Sequence, residues 1–240
     1  MKIFAHIMQA AAERKGGEAE LASVLTPIMA TDQLRKISDD RFLAQMTRCV
    51  FNAGFHWGVI TKKWPGFEEV FQQFDIGKLL TLSPDEWEAF CKDARIVRNR
   101  PKIQTVWKNA RMIDEVAEQH GSFGTFFAAW PVAEQIGLMA WLKEHGGRLG
   151  GQTGQYIIRF MGKDSFITSK DVCVALRANG VDINEKPTSK RDLGRVQDAF
   201  NHWHEETGMP YTHLSRILAY TVGENYSVEI IAEESSRHVT

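Results

Sequence analysis

The stretch from Lys102 to Gln119 constrains the fold most. Ile103, Val106, Trp107, Ala110, Ile113 and Val116 recur at intervals of three and four, which places them on one stripe of an amphipathic helix packed on a core. Gly121 ends that helix and Ser122 can cap the next. The same punctuation recurs along the chain. Ser83-Pro84-Asp85-Glu86 combines an N-cap serine, a proline at the first helical position and a glutamate at the third, with Phe90, Ala94 and Val97 following at roughly helical spacing. Pro131 breaks an apolar run, and a further helix extends to about His145. Ser189 caps a helix through Trp203 that stops near Gly208, and Tyr211 to Val222 forms another. Asn179 to Lys190 is polar and reads as a surface connection. The tail from Glu224 to Thr240 holds a short strand-like run, Val228-Glu229-Ile230-Ile231, but no set of alternating segments could build a sheet with it. The expected fold class is all-α.

A chain of 240 residues can bury a sizeable core as one large domain or as two lobes around a cleft. No apolar run approaches the roughly 18 residues of a membrane span. The N-terminus lacks the long apolar run and the cleavage site of a signal peptide, so a cytoplasmic location is expected, with no membrane partner. Cys49, Cys91 and Cys173 lie far apart and form no CxxC pair, which fits buried thiols in a reducing compartment. The net charge of −1 argues against a nucleic-acid binder that works by bulk charge. Its distribution is uneven: Lys92 to Arg111 contains seven basic residues against one acid, so that segment carries +6 and the remainder −7. A local basic face can be a phosphate footprint or simply a solvated helix face.

Between two helices lies Gly146-Gly147-Arg148-Leu149-Gly150-Gly151-Gln152-Thr153-Gly154. Its five glycines permit positive φ and leave backbone amides bare. A helix starting near Thr153 would aim those amides and its positive dipole end outward, toward a phosphate. A flexible interhelical loop has the same composition.

Several motifs, taken in order, add a resemblance. Ala53-Gly54-Phe55-His56-Trp57, running on to Lys62-Lys63, is followed by Phe71, Phe74 and Asp75. Then come Asp93 to Gln104 with Arg98 and Lys102-Ile103 inside it, Asn109-Ala110-Arg111, Leu142-Lys143 with Gly151, Thr153 and Tyr156, and finally Phe160-Met161. Together they resemble the DNA-3-methyladenine glycosylase I family over about residues 40–165, about half of the chain. The resemblance implies a two-lobed helix-hairpin-helix glycosylase-like fold, one such unit over 1–240 with its hairpin near 142–160. It implies a monofunctional DNA glycosylase that extrudes and hydrolyses an alkylated purine, 3-methyladenine foremost, from double-stranded DNA. It places Trp57 against the extruded base, Cys49 and Asn52 in the pocket, and Gly150, Gly151, Thr153 and Gly154 on a DNA phosphate, with Arg100 and Lys102 adding charge.

Four departures qualify that expectation. The family's pocket glutamate falls on Cys49, and Asn52, one turn along, offers a donor and an acceptor in its place. The family's N-terminal tyrosines have no counterpart. Its zinc ligands are missing, and His202 and His204 point to different faces of a helix, so neither metal nor cofactor is expected. For the aspartate of the wider superfamily the candidate is Asp171, two residues after Ser169, where an acid also serves simply as a helix-dipole partner. Gln152 to Gln155 hold no lysine for a Schiff base, so no lyase step is expected. The competing readings are a non-catalytic DNA-binding module, a glycosylase for a different damaged base and a helical scaffold; a monomer is expected.

Overall fold

The computed structural model describes residues 1–55 and 57–231. His56, which belongs to the Trp57 motif, and residues 232–240 of the tail lie outside the described residues. In chain order the helices are α1 (Phe4–Lys15), α2 (Glu18–Ser23), α3 (Thr31–Leu34), α4 (Asp39–Asn52), α5 (Trp57–Val70), α6 (Ile76–Thr81) and α7 (Pro84–Phe90). They continue with α8 (Arg100–His120), α9 (Phe123–Ala129), α10 (Gln135–His145), α11 (Gln152–Phe160), α12 (Lys170–Ala178), α13 (Lys190–Thr207) and α14 (Tyr211–Tyr220). Among the described residues there is no strand, and the protein is all-α. Val228–Ile231, strand-like in composition, is a helical turn, with Ile231 packed into a core. Among the described residues no helix is long and apolar enough to cross a membrane.

The caps form where side-chain oxygens meet orphan amides. Ser83 accepts the amide of Glu86 while the Glu86 carboxylate takes the amide of Ser83 at 2.8 Å, a reciprocal capping box. Ser122, Ser169 and Ser189 each accept an amide three residues on. Gly208 ends α13 in the left-handed conformation, φ +68°.

The chain divides into two compact units. The first comprises residues 1–29, 131–137 and 158–240. Its core is built by α1, α12, α13 and α14 around Phe4, Leu176, Phe200, Trp203 and Leu214, with Phe166 stacked on Phe200 at 4.4 Å between ring centres. The backbone of Phe166 is held by the buried Gln135 amide, which both donates and accepts at 2.8 Å. The connection after Asn179 is less superficial than its polarity suggests, since Val181 and Ile183 are buried in this core.

The second unit comprises residues 30–130 and 138–157. Phe42 of α4 meets Phe123 and Phe127 of α9 edge-on at 5.0 and 5.2 Å. Phe51, Phe67, Phe71 and Phe74 continue the aromatic core under α5. The long helix α8 buries Ile103, Val106, Ala110, Ile113 and Val116, five of the six stripe positions. Trp107, the sixth, is 40% exposed. At 100° per residue it trails Ile103 by 40°, on the rim of the stripe rather than its centre.

Phe42→Ala removes a fully buried ring with two aromatic partners. It should lower unfolding stability by about 3–5 kcal/mol in denaturant titration.

Candidate functional site

The site segment begins where α4 ends. The chain turns at Ala53-Gly54, Gly54 taking φ +78°, and α5 starts at Trp57. The last carbonyls of α4 lack partners in their own helix and are met by a cation from α8. Lys102 Nζ donates to the Ala53 carbonyl at 2.6 Å and to the Phe51 carbonyl at 3.1 Å. The Phe55 ring lies 4.6 Å from the ammonium and the Phe51 ring 5.8 Å. Burial, and then the charge of Arg148, lower the Lys102 pKa from the usual lysine value. Lys102 is only 5% exposed and two of its donors are committed, so its role differs from the expected phosphate contact. It fastens the end of α4.

On α4, Gln45, Cys49 and Asn52 follow one stripe at spacings of four and three. Gln45 donates to Cys49 Sγ at 3.3 Å. Burial pushes the Cys49 thiol up to about 12, partly opposed by Gln45 and Arg48, so it is protonated and uncharged at neutral pH. Asn52 is 4% exposed, and neither its amide nitrogen nor its amide oxygen has a hydrogen-bond partner. A buried amide left unpaired costs about 1–3 kcal/mol, so a group that pairs it gains that much.

Trp57, half-buried at the head of α5, meets Tyr156 of α11 edge-on at 6.0 Å and 71°. Tyr156 belongs to the second helix of the glycine hairpin. The structure therefore brings the Trp57 segment and the hairpin, a hundred residues apart in sequence, into contact inside one unit.

The hairpin itself runs from His145, the last residue of α10, to Gln152, the first of α11. Arg148 and Gly151 both have left-handed backbones, φ +61° and +62°. A side chain at Gly151 would meet nothing within 4 Å, so glycine is favoured there by conformation alone. At Gly147 and Gly154 the demand is space: a Cβ would lie 3.0 Å from Thr105 Cβ and 2.6 Å from the Leu149 carbonyl oxygen, respectively. Gly150 and Thr153 are half-buried and Gly151 is exposed. Fully buried Asn109 of α8 clamps the turn. Its Oδ1 accepts from the Gly147 amide at 2.6 Å and its Nδ2 donates to the Gly147 carbonyl at 3.4 Å.

The basic segment is less cationic than its count. Arg95 pairs with Asp93 and Glu69, Arg100 with Glu88, and Arg111 with Glu115 at 2.8 Å. These are exposed pairs of about 0–1 kcal/mol, so a phosphate can compete for Arg100. Asp171 lies in the first unit, half-buried in the first turn of α12, with its carboxylate 3.1 Å from where a Cβ on Gly223 would sit. Among the described residues no group of three or more His, Cys, Asp and Glu side chains could hold a metal ion.

Asn109 and Tyr156 are the residues sequence reasoning left out of the site. For Asn109 the visible sign was an amide seven residues after Lys102, set between the buried positions Val106 and Ala110.

Residues 34–144 match the methyladenine glycosylase family model. DNA-3-methyladenine glycosylase 1 of Escherichia coli is 36% identical over 69 residues, covering 29% of this chain and 36% of that protein. DNA-3-methyladenine glycosylase of Haemophilus influenzae is 30% identical over 59 residues, 25% of this chain and 32% of that protein. The chain thus spans about a third of the length of the curated relatives it matches. The structure of 3-methyladenine DNA glycosylase I from Staphylococcus aureus aligns over 76% of this chain and 99% of that one, with 18% identity and a TM-score of 0.48. The matched proteins are DNA glycosylases by name. Over residues 34–144, just under half of its length, this chain is similar to the methyladenine glycosylase family. The match contains Cys49, Asn52, Trp57, Arg100, Lys102 and Asn109 but stops at Glu144, just before the glycine turn.

Asn109→Ala strips the Gly147 peptide of both partners. It should cost about 1–3 kcal/mol in unfolding free energy and raise amide exchange across 146–151, measured by hydrogen–deuterium exchange.

Proposed function

We propose that this chain is a monofunctional DNA glycosylase that removes an alkylated purine, 3-methyladenine foremost, from double-stranded DNA in base excision repair. The contact between Trp57 and Tyr156 carries the reading, because it joins the family's tryptophan segment to a glycine-rich helical hairpin. The hairpin supports it further: Gly150, Gly151, Thr153 and Gly154 surround the start of α11, a helix N-terminus of the kind that suits a DNA phosphate, with Gly151 exposed and Gly154 buried. Arg100 stands ready to exchange Glu88 for a second phosphate.

The chemistry asks little of a general acid. An N3-methylated adenine carries a positive charge, so when the N-glycosidic bond breaks its electron pair neutralises the leaving base. Water adds to the sugar carbon and releases a proton. The protein has to extrude the nucleotide, stack the cationic ring and exclude competitors. Trp57 supplies the ring face, and the unpaired Asn52 amide supplies one donor and one acceptor for the base edge. In this reading the chain works as a monomer.

A second reading, a DNA-binding module without excision, draws on the uncharged thiol at Cys49. An excision assay on alkylated DNA with the unmodified protein separates the two, and Trp57→Ala tests the place of the indole. Stacking is worth roughly 1–3 kcal/mol per base, so single-turnover excision of a methylated purine should fall about ten- to a hundredfold, with binding to undamaged duplex unchanged. Excision unaltered in a folded variant removes Trp57 from the site, and absence of excision by the unmodified protein leaves the binding module. Gly151→Val forces a β-branched residue into a left-handed backbone and should weaken binding to every duplex alike.

A further inference from the structure

The exposed face of Trp107 is not used by the site described above. It opens onto a groove of about 450 Å3 lined by α8 and α10, with Trp107, Lys108, Arg111, Met112, Trp141 and His145 among its walls. That volume is within the roughly 300–1,000 Å3 range of small-ligand sites. One wall is aromatic and ordered: Trp141 stacks on His145 at 4.5 Å and 14°, and Phe126 backs Trp141 at 4.6 Å. The other wall is aromatic and cationic. Arg111 lies 5.8 Å from the Trp107 ring while paired with Glu115, and Lys108 has no ion-pair partner among the described residues. The groove adjoins the hairpin at His145, which lines it and immediately precedes Gly146.

We propose that this groove takes an unpaired nucleotide of the DNA strand held by the hairpin, its base against the Trp107 indole and its phosphate at Lys108. The proposal rests on the hairpin's being a DNA-phosphate site. The occupant follows from the wall chemistry: an open indole calls for a flat ring, and an unpaired ammonium beside it calls for an anion. A base in a duplex has both faces covered by its neighbours, so only an unstacked nucleotide can use the indole. Stacking reads no base edge, and the site should tolerate any sequence.

The test uses the full chain and two undamaged duplexes, one blunt and one with a short single-stranded thymidine extension, measured by fluorescence anisotropy. The unmodified protein should bind the extended duplex about tenfold more tightly, the low end of what a stacking side chain contributes. Trp107→Ala should abolish that preference while leaving blunt-duplex affinity intact, and Trp107→Phe should keep most of it. Trp107 is partly exposed, and a thermal melt checks that both variants are folded. Gly151→Val should weaken both complexes equally. Equal affinity of the unmodified protein for the two duplexes, or a preference that survives Trp107→Ala, overturns the groove proposal alone. No binding to either duplex overturns the hairpin reading and the groove with it.

Discussion

The amide of Asn109 and the peptide of Gly147 form the interaction on which the second unit's site depends. A tight turn whose peptide is buried needs partners for one donor and one acceptor, and a carboxamide supplies both, from two different atoms of one side chain. Seven residues earlier on the same face of α8, Lys102 fastens the end of α4. Seven residues are two turns, or roughly 10.5 Å along the axis. One straight helix therefore sets the spacing between the turn that begins at Gly147 and the end of the helix bearing Cys49 and Asn52. The Trp57–Tyr156 contact then closes the arrangement from α5 to α11.

Much of the fold was legible because helix ends obey local rules. Ser83, Ser122, Ser169 and Ser189 cap where their sequence context requires, and Gly121 and Gly208 close their helices. The failures came where tertiary context decides. Trp107 shares the periodicity of a core stripe, yet periodicity cannot say how wide a stripe its neighbours cover. Val228–Ile231 is short enough that β-branched composition outweighed what packing against a core later imposes. The site was legible in its parts and not in its assembly. Counting charges between Lys92 and Arg111 could not show that Glu69, Glu88 and Glu115 from elsewhere would pair with them. Nor could it show that Lys102 turns inward to a helix end.

The chemical character of the α4 stripe follows from burial. A thiol held protonated and an unpaired carboxamide are polar without charge. With the Lys102 ammonium spent on carbonyls, discrimination at this stripe rests on hydrogen-bond pattern and shape. In the proposed function, affinity for a cationic base then falls to the aromatic face of Trp57. That proposed division, pattern from Asn52 and affinity for positive charge from an indole, would suffice to hold a base whose glycosidic bond is already weak.

Chromatography of the bases freed from alkylated duplex DNA, with the strand analysed alongside, is the most direct measurement of the central claim. Release of a methylated purine is expected, 3-methyladenine in the largest amount, with an abasic strand that stays intact until treated with base. Binding to that DNA with no base released, or strand cleavage accompanying release, would contradict it.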